Sequence, residues 1–275
     1  MTYQNIIYQK EGRIARLTLN RPEARNALSA ALLDELVAAL AEAEQDNEIR
    51  VITLKGAGRA FSAGYDIEPG KPGEYGASPI MGELEFLKGT DKRVSAIWKI
   101  SKPVIAQVHG YCVAGGMDVA GQCDIIIAAE NAIFMLPQIR RLGVALPLNM
   151  VAYNAGLQWA KMLMFTGDPV SGKDAERIGL VAKAVPEDKL EETVNLLAQR
   201  IALVPSELLA LNKAAINRVV EEMGLRNVLT AGVELDAISH FTKAVQDFRR
   251  TAEEKGLKAA LAENEAPFKA LPKAF

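Results

Sequence analysis

The sequence predicts an α/β core followed by an all-helical C-terminal region. In the first part of the chain, short runs of strand period alternate with longer runs of helical period. From Glu187 onward the apolar spacing is almost entirely helical. Between these, Pro103–Val108 is apolar except for Gln107, which suits a strand covered on both faces.

The elements follow in order. Ile14 to Asn20 alternates apolar and polar residues, as a half-buried strand does, and Asn20-Arg21-Pro22-Glu23 breaks it. Ser29 is placed to cap a helix over Ala30–Gln45, whose apolar positions are Leu32, Leu33, Leu36, Val37 and Leu40. Val51–Lys55 reads as a strand ending at Gly56-Ala57-Gly58. The loop Pro69-Gly70-Lys71-Pro72-Gly73 is expected beside the site and mobile. Helical spacing covers Glu83–Ile100. After Pro103–Val108 come a turn over Gly110–Gly116, a short helix to about Gln122, and a buried strand over Asp124–Ala128. The tail predicts four helices: Lys189–Leu203, Glu207–Glu222, Val228–Phe248 and Thr251–Asn264. The expected division is a core over residues 1–200 and a helical region over 201–275. No internal repeat shows in the letters.

Composition narrows the function classes. Of 275 residues, 49% are hydrophobic and 24% charged, enough apolar surface for a large core. Lys and Arg total 32 against 34 Asp and Glu, a net charge of −2, which argues against a nucleic-acid or membrane-surface partner. Cys112 and Cys123 have neither CxxC nor zinc-site spacing, so both are expected as buried apolar residues in a reducing, cytoplasmic setting. No metal site is expected.

Three segments carry the chemistry: Ala60–Ile67, His109–Asp124 and Phe134–Gly143. The second reads as strand, glycine turn, helix. Gly115 and Gly116 allow close backbone approach to a ligand, and a helix starting there would aim N–H groups at an anion or oxyanion. No Lys-Ser/Thr follows, so this is not a P-loop, and the spacing is not the GxGxxG nucleotide fingerprint.

The run Ala60-Phe61-Ser62-Ala63-Gly64-Tyr65-Asp66-Ile67 is followed about fifty residues on by Gly110, the pair Gly115-Gly116 and then Cys123-Asp124. Together these resemble the signature of the crotonase (enoyl-CoA hydratase/isomerase) superfamily. Leu19–Leu28 resembles the family's N-terminal coenzyme A segment, and Thr166-Gly167-Asp168 with Ala175–Val181 resembles the stretch after its active site. Ordered matches run from about residue 10 to 190.

The resemblance implies a core of repeated β-β-α turns and a helical C-terminal region that builds a homotrimer or dimer of trimers. It implies an acyl-coenzyme A thioester as substrate and no tightly bound cofactor. Carried over by residue, the oxyanion hole is the backbone N–H of Tyr65 and of Gly115. Arg25, Ala27, Ala63, Gly64, Asp66, Ile67, Tyr111, Gly116, Pro137 and Val144 are the expected coenzyme A and substrate contacts.

The sequence also departs from the family. Its hydratases use two glutamates around one water, and here those positions hold Asp118 and Gln138. Gln138 cannot exchange a proton as a carboxylate does, although it can orient a water. The family's Pro-Gly-x-Gly-Gly run is replaced by Val144-Ala145-Leu146-Pro147-Leu148-Asn149, a rebuilt and more apolar pocket floor. Asp118 is therefore expected to carry proton transfer, its pKa raised by desolvation. Glu83, Glu85 and His240 are candidates for a second acid, with His240 expected near a neighbouring subunit's pocket. His109 is expected to be structural, and Arg140 and Arg141 a solvated or intersubunit pair. One base can move a proton between two carbons, so Asp118 suits isomerisation, and hydration with one general base stays open beside it. Thioester hydrolysis, carbon–carbon bond cleavage on the same scaffold, and a coenzyme A-binding protein with a decayed site are further alternatives.

Overall fold

The computed structural model describes residues 3–67 and 80–272. The expected loop at Pro69–Gly73 lies outside the described residues. The chain opens with β1 (Ile6–Glu11), β2 (Ile14–Leu19) and α1 (Ala30–Gln45). Next come β3 (Val51–Gly56), β4 (Ala60–Ser62), α2 (Ile80–Val94) and α3 (Ala96–Lys99). A second passage runs through β5 (Val104–Val108), β6 (Tyr111–Val113) and α4 (Gly115–Gly121). A third runs through β7 (Ile125–Ala129), β8 (Ile133–Met135), α5 (Val151–Asn154) and α6 (Gly156–Thr166). β9 (Val170–Ser171), α7 (Gly172–Arg177) and β10 (Lys183–Val185) follow. The chain finishes with α8 (Glu187–Ile201), α9 (Ser206–Glu222), α10 (Leu225–Ser239), α11 (Lys243–Lys255) and α12 (Leu257–Lys269).

Two sheets organise these elements. The larger has strand order β1-β2-β3-β5-β7-β10, parallel throughout except for the β1–β2 hairpin. The smaller has order β4-β6-β8-β9, with β4, β6 and β8 parallel. Each passage contributes one strand to the large sheet, one to the small sheet, and then a helix. That is the repeated β-β-α turn, present in the backbone although no repeat shows in the letters. Every residue of β5 is buried, as its mostly apolar run predicts; the polar member, Gln107, donates to Glu191 at 3.3 Å. Ser29 caps α1 by accepting a hydrogen bond from the Leu32 N–H at 3.2 Å. Leu32, Leu33, Leu36 and Leu40 face the core from that helix. Cys112 and Cys123 are buried and unpaired with each other.

Several elements differ from expectation, each for a physical reason. β1 escapes the sequence pattern because it is an edge strand with mostly exposed polar residues. The helix expected over Glu83–Ile100 is interrupted at Ser95, whose hydroxyl turns back to Asp91. The turn expected over Gly110–Gly116 holds β6, three residues paired to β4 and β8. The helix expected over Val228–Phe248 breaks after Ser239, because Thr242 is extended and starts a new helix. The Thr251–Asn264 helix breaks at Gly256, whose φ of 85° and ψ of 150° no helix tolerates.

α11 and α12 form a hairpin with a small apolar cluster of their own: Phe248, Ala252 and Ala260, packed with Leu142, Leu257 and Leu261. Arg140 anchors this hairpin. Its guanidinium pairs with Asp168 at 2.6 Å and Glu265 at 2.8 Å, and lies 3.9 Å from the Phe268 ring centre. Arg140 is thus a buried clamp within one chain, which corrects the expected solvated or intersubunit role. The planar guanidinium suits a site needing several directed donors at once.

Candidate active site

The parallel strands β4, β6 and β8 end at Ser62, Val113 and Met135. Their carboxyl ends lead directly into Ala63-Gly64-Tyr65, Ala114-Gly115-Gly116 and Pro137-Gln138. The three segments singled out in the sequence therefore meet at one edge of the small sheet. A cavity of about 480 Å³ opens there.

Hydrogen bonds fix the first segment. The buried Asn26 side chain donates to the carbonyls of Ala57 at 2.9 Å and Ala60 at 2.8 Å, and accepts from the Arg21 N–H at 2.9 Å. Its amide nitrogen and its oxygen are both engaged, so the 21–26 loop is pinned to β4. Arg25 and Asn26 both have positive φ, 52° and 55°. The Ser62 hydroxyl donates to the Asn26 carbonyl and accepts from the Gly64 N–H. Leu28 N–H donates to Gly64 O at 2.8 Å. Asp66 is held by Arg21 at 3.2 Å.

The second segment carries strain. Ala114 has φ 49° and ψ −118°, a rare conformation for a residue with a side chain, and its N–H donates to Met135 O at 2.9 Å. This bend delivers Gly115 to the start of α4. The two segments touch: a β-carbon at Gly64 would lie 2.8 Å from Val113 O and 3.3 Å from Gly115 N. A β-carbon at Gly115 would lie 2.8 Å from the Tyr65 ring. Glycine is needed at both positions for the segments to approach this closely.

Asp118 sits one turn into α4, 1% exposed. The Tyr65 phenol donates to its Oδ2 at 3.0 Å, while Oδ1 has no hydrogen-bond partner among the described residues. Burial pushes its carboxyl up to about 8; the Tyr65 hydrogen bond opposes this and the nearby Asp236 charge adds to it.

Most of the expected site residues line the cavity. Arg25, Ala63, Asp66, Ile67 and Tyr111 lie on the wall shared with Tyr65. Pro137, Gln138 and Val144 line it with Asp118. Ala27, Gly64, Gly115 and Gly116 do not; they shape the backbone beneath it, and the Ala27 carbonyl accepts from Arg21 at 2.6 Å. The Gln138 side-chain oxygen is buried without a partner among the described residues, and its backbone carbonyl accepts from the Leu142 and Gly143 N–H groups.

The remaining candidates separate. Glu85 is exposed and pairs with Lys88, so it does not reach the cavity. His109 buttresses the preceding turn through Gly58 O at 2.8 Å. His240 lines the cavity of its own chain. Sequence reading missed Asn26, Arg21, Asp236 and the apolar wall of Val245, Phe248, Leu257 and Leu261. The resemblance over Leu19–Leu28 covered Arg21 and Asn26 without giving either a role, and consecutive polar residues in a loop gave no periodicity to read. No group of three or more His, Cys, Asp or Glu among the described residues is arranged to hold a metal ion.

Comparison with known proteins agrees with this architecture. The family model described as "Enoyl-CoA hydratase/isomerase" matches residues 9–269. A probable enoyl-CoA hydratase of Rhizobium meliloti is 34% identical over 98% of this chain and 99% of its own length. A short-chain-enoyl-CoA hydratase of Clostridium acetobutylicum is 36% identical over 79% of this chain and 83% of its own. The crystal structure of an enoyl-CoA hydratase/isomerase from Xanthobacter autotrophicus Py2 superposes with a TM-score of 0.90 at 32% identity, covering 99% of this chain and 100% of that one. With its repeated β-β-α turns and three converging strand ends, the chain belongs to the enoyl-CoA hydratase/isomerase family.

Proposed function

We propose that the chain binds an acyl-coenzyme A thioester, stabilises its enolate with the backbone N–H groups of Tyr65 and Gly115, and moves the proton through Asp118. One observation carries this reading: a buried, partly unpartnered carboxyl lies in the same cavity wall as the two glycine-built segments. Negative charge develops on the thioester oxygen as the α-carbon loses its proton. Two fixed N–H donors aimed at that oxygen lower the barrier, and losing one costs about 3–4 kcal/mol. With its carboxyl near 8, Asp118 is mostly protonated at neutral pH yet close enough to ionisation to work in both directions. Gln138 offers a hydrogen bond and no proton.

The substrate reading is supported by the shape of the cavity. Arg25 stands at its exposed rim, where a phosphate would pass, and α11 and α12 line it with Val245, Phe248, Ala252, Leu257 and Leu261 beside the charged Arg249 and Glu253. Assembly as a homotrimer or dimer of trimers is supported by α9, which exposes Leu208, Leu211, Ile216 and Val219, with Met223 just beyond its end. Sedimentation velocity reads the assembly directly.

The test of the enolate reading is exchange of the α-protons of butyryl-coenzyme A in deuterium oxide, followed by mass spectrometry. The chain is expected to exchange them and Asp118→Asn to lose this by about 100-fold or more, the range of general acid–base catalysis being about 10²–10⁴. Exchange that Asp118→Asn leaves unchanged sinks the assignment, and absence of exchange in the wild type sinks the enolate reading itself.

A further inference from the structure

A second set of buried ionisable side chains stands at the same cavity and is unused by the reading above, with Asp236 and His240 in its lining and Glu83 behind His240. Glu83 on α2, and Asp236 and His240 at the end of α10, are 1%, 4% and 2% exposed. His240 Nδ1 lies 2.6 Å from Glu83 Oε1. Its Nε2 lies 3.5 Å from Asp236 Oδ1. Asp236 Oδ1 also accepts from the Val144 N–H at 2.8 Å and the Ser239 hydroxyl at 3.2 Å. Gly143 closes the arrangement: a β-carbon there would lie 2.7 Å from Asp236 Oδ1 and 3.0 Å from His240 Nε2. Asp236, His240 and Gly143 all line the cavity.

Burying two carboxyls and an imidazole is costly unless each is paired, and apolar residues of similar size would support the loop at Val144 more cheaply. The place of Asp236 and His240 on the wall of a cavity that already holds Asp118, with Glu83 bonded behind His240, marks them as a functional group. Among the described residues, water addition still needs a group that takes a proton while Asp118 keeps its own. Asp118 is mostly protonated at neutral pH, and Gln138 takes no proton. Asp66 is engaged by Arg21, and Glu253 stands exposed on the α11 side of the opening. Glu83 holds the imidazole through Nδ1, which places Nε2, beside Asp236 and against Gly143, on the cavity side of the ring.

We propose that His240, oriented by Glu83, is the second proton-transfer residue of this site, the group that takes the proton from water when water adds to the substrate. The inference rests on the enolate reading. His240 Nε2 takes a proton from water as the water oxygen bonds to C3. The C2–C3 π pair moves into the thioester, giving the enolate held by the two N–H donors. The Asp118 carboxyl then gives its proton to C2. One water is added; the imidazolium releases its proton to solvent and Asp118 regains one. Glu83 acts through His240 and is a positioning residue.

The test measures two reactions on the same proteins: hydration of crotonyl-coenzyme A, read as a mass gain of one water, and α-proton exchange of butyryl-coenzyme A. His240→Gln is expected to slow hydration by about 10²–10⁴-fold and exchange by less than about 10-fold. Glu83→Gln, which keeps an acceptor for Nδ1–H without the charge, is expected to slow hydration by about 10-fold, chiefly in kcat. It carries the test if His240→Gln does not fold. Hydration untouched by either variant overturns the proposal. Equal loss of both reactions assigns the cluster to holding the loop at Val144, and also overturns it. Exchange without hydration in the wild type removes the role of His240 and leaves the enolate reading standing; absence of both removes both.

Discussion

Asp118→Asn should change how stability depends on pH, in a direction fixed by the structure. The carboxyl moves from 3.8 to about 8 on burial. A carboxyl raised in the fold binds more protons folded than unfolded over that window. Stability is then full below about pH 4 and falls as pH rises toward 8. Through the linkage relation, a shift of this size removes roughly 3 kcal/mol between about pH 5.5 and 8. Asp91, Asp124 and Asp236 are also raised by burial, so the wild-type curve alone is ambiguous. The difference between wild type and Asp118→Asn isolates position 118. Urea unfolding at about pH 5.5, 7 and 8, at one protein concentration, gives it. The variant's advantage over wild type should grow steadily with pH, while its α-proton exchange is lost. Parallel curves would mean that Asp118 is ionised in the folded protein at neutral pH, and the acid role in the mechanism would fail.

Three further outcomes follow from the geometry. Gly64→Ala puts a methyl group 2.8 Å from Val113 O at φ 98° and should reduce exchange of butyryl-coenzyme A by about 10²–10³-fold, by separating the two N–H segments. Arg140→Met leaves Asp168 and Glu265 without their partner and should cost about 3–5 kcal/mol, read as a lower urea midpoint. Asn26→Ala strips hydrogen bonds from two carbonyls and one N–H of the loop beside β4, and should cost about 1–3 kcal/mol with faster amide exchange at Gly64 and Tyr65.

The letters of this chain determined the parts of the fold that depend on local pattern. The α1 helix and its Ser29 cap, the buried strand over Val104–Val108, and the short helix that begins at Gly115-Gly116 are all set by neighbours in sequence. So were Tyr65, Asp118 and Gln138 as candidate residues, because motif spacing places them. The tertiary structure decided what no local pattern encodes. His240 is 157 positions from Glu83, and only the packing of α10 against α2 joins them. Asn26 and Arg21 lie in a loop without periodicity, and the role of Asn26 emerges from carbonyls supplied by β4 and the turn before it. The breaks at Thr242 and Gly256 turned two expected helices into a roof over the cavity, because amphipathic spacing continued across each break. Periodicity reports which face of an element is buried; it carries no information about which distant residue buries it.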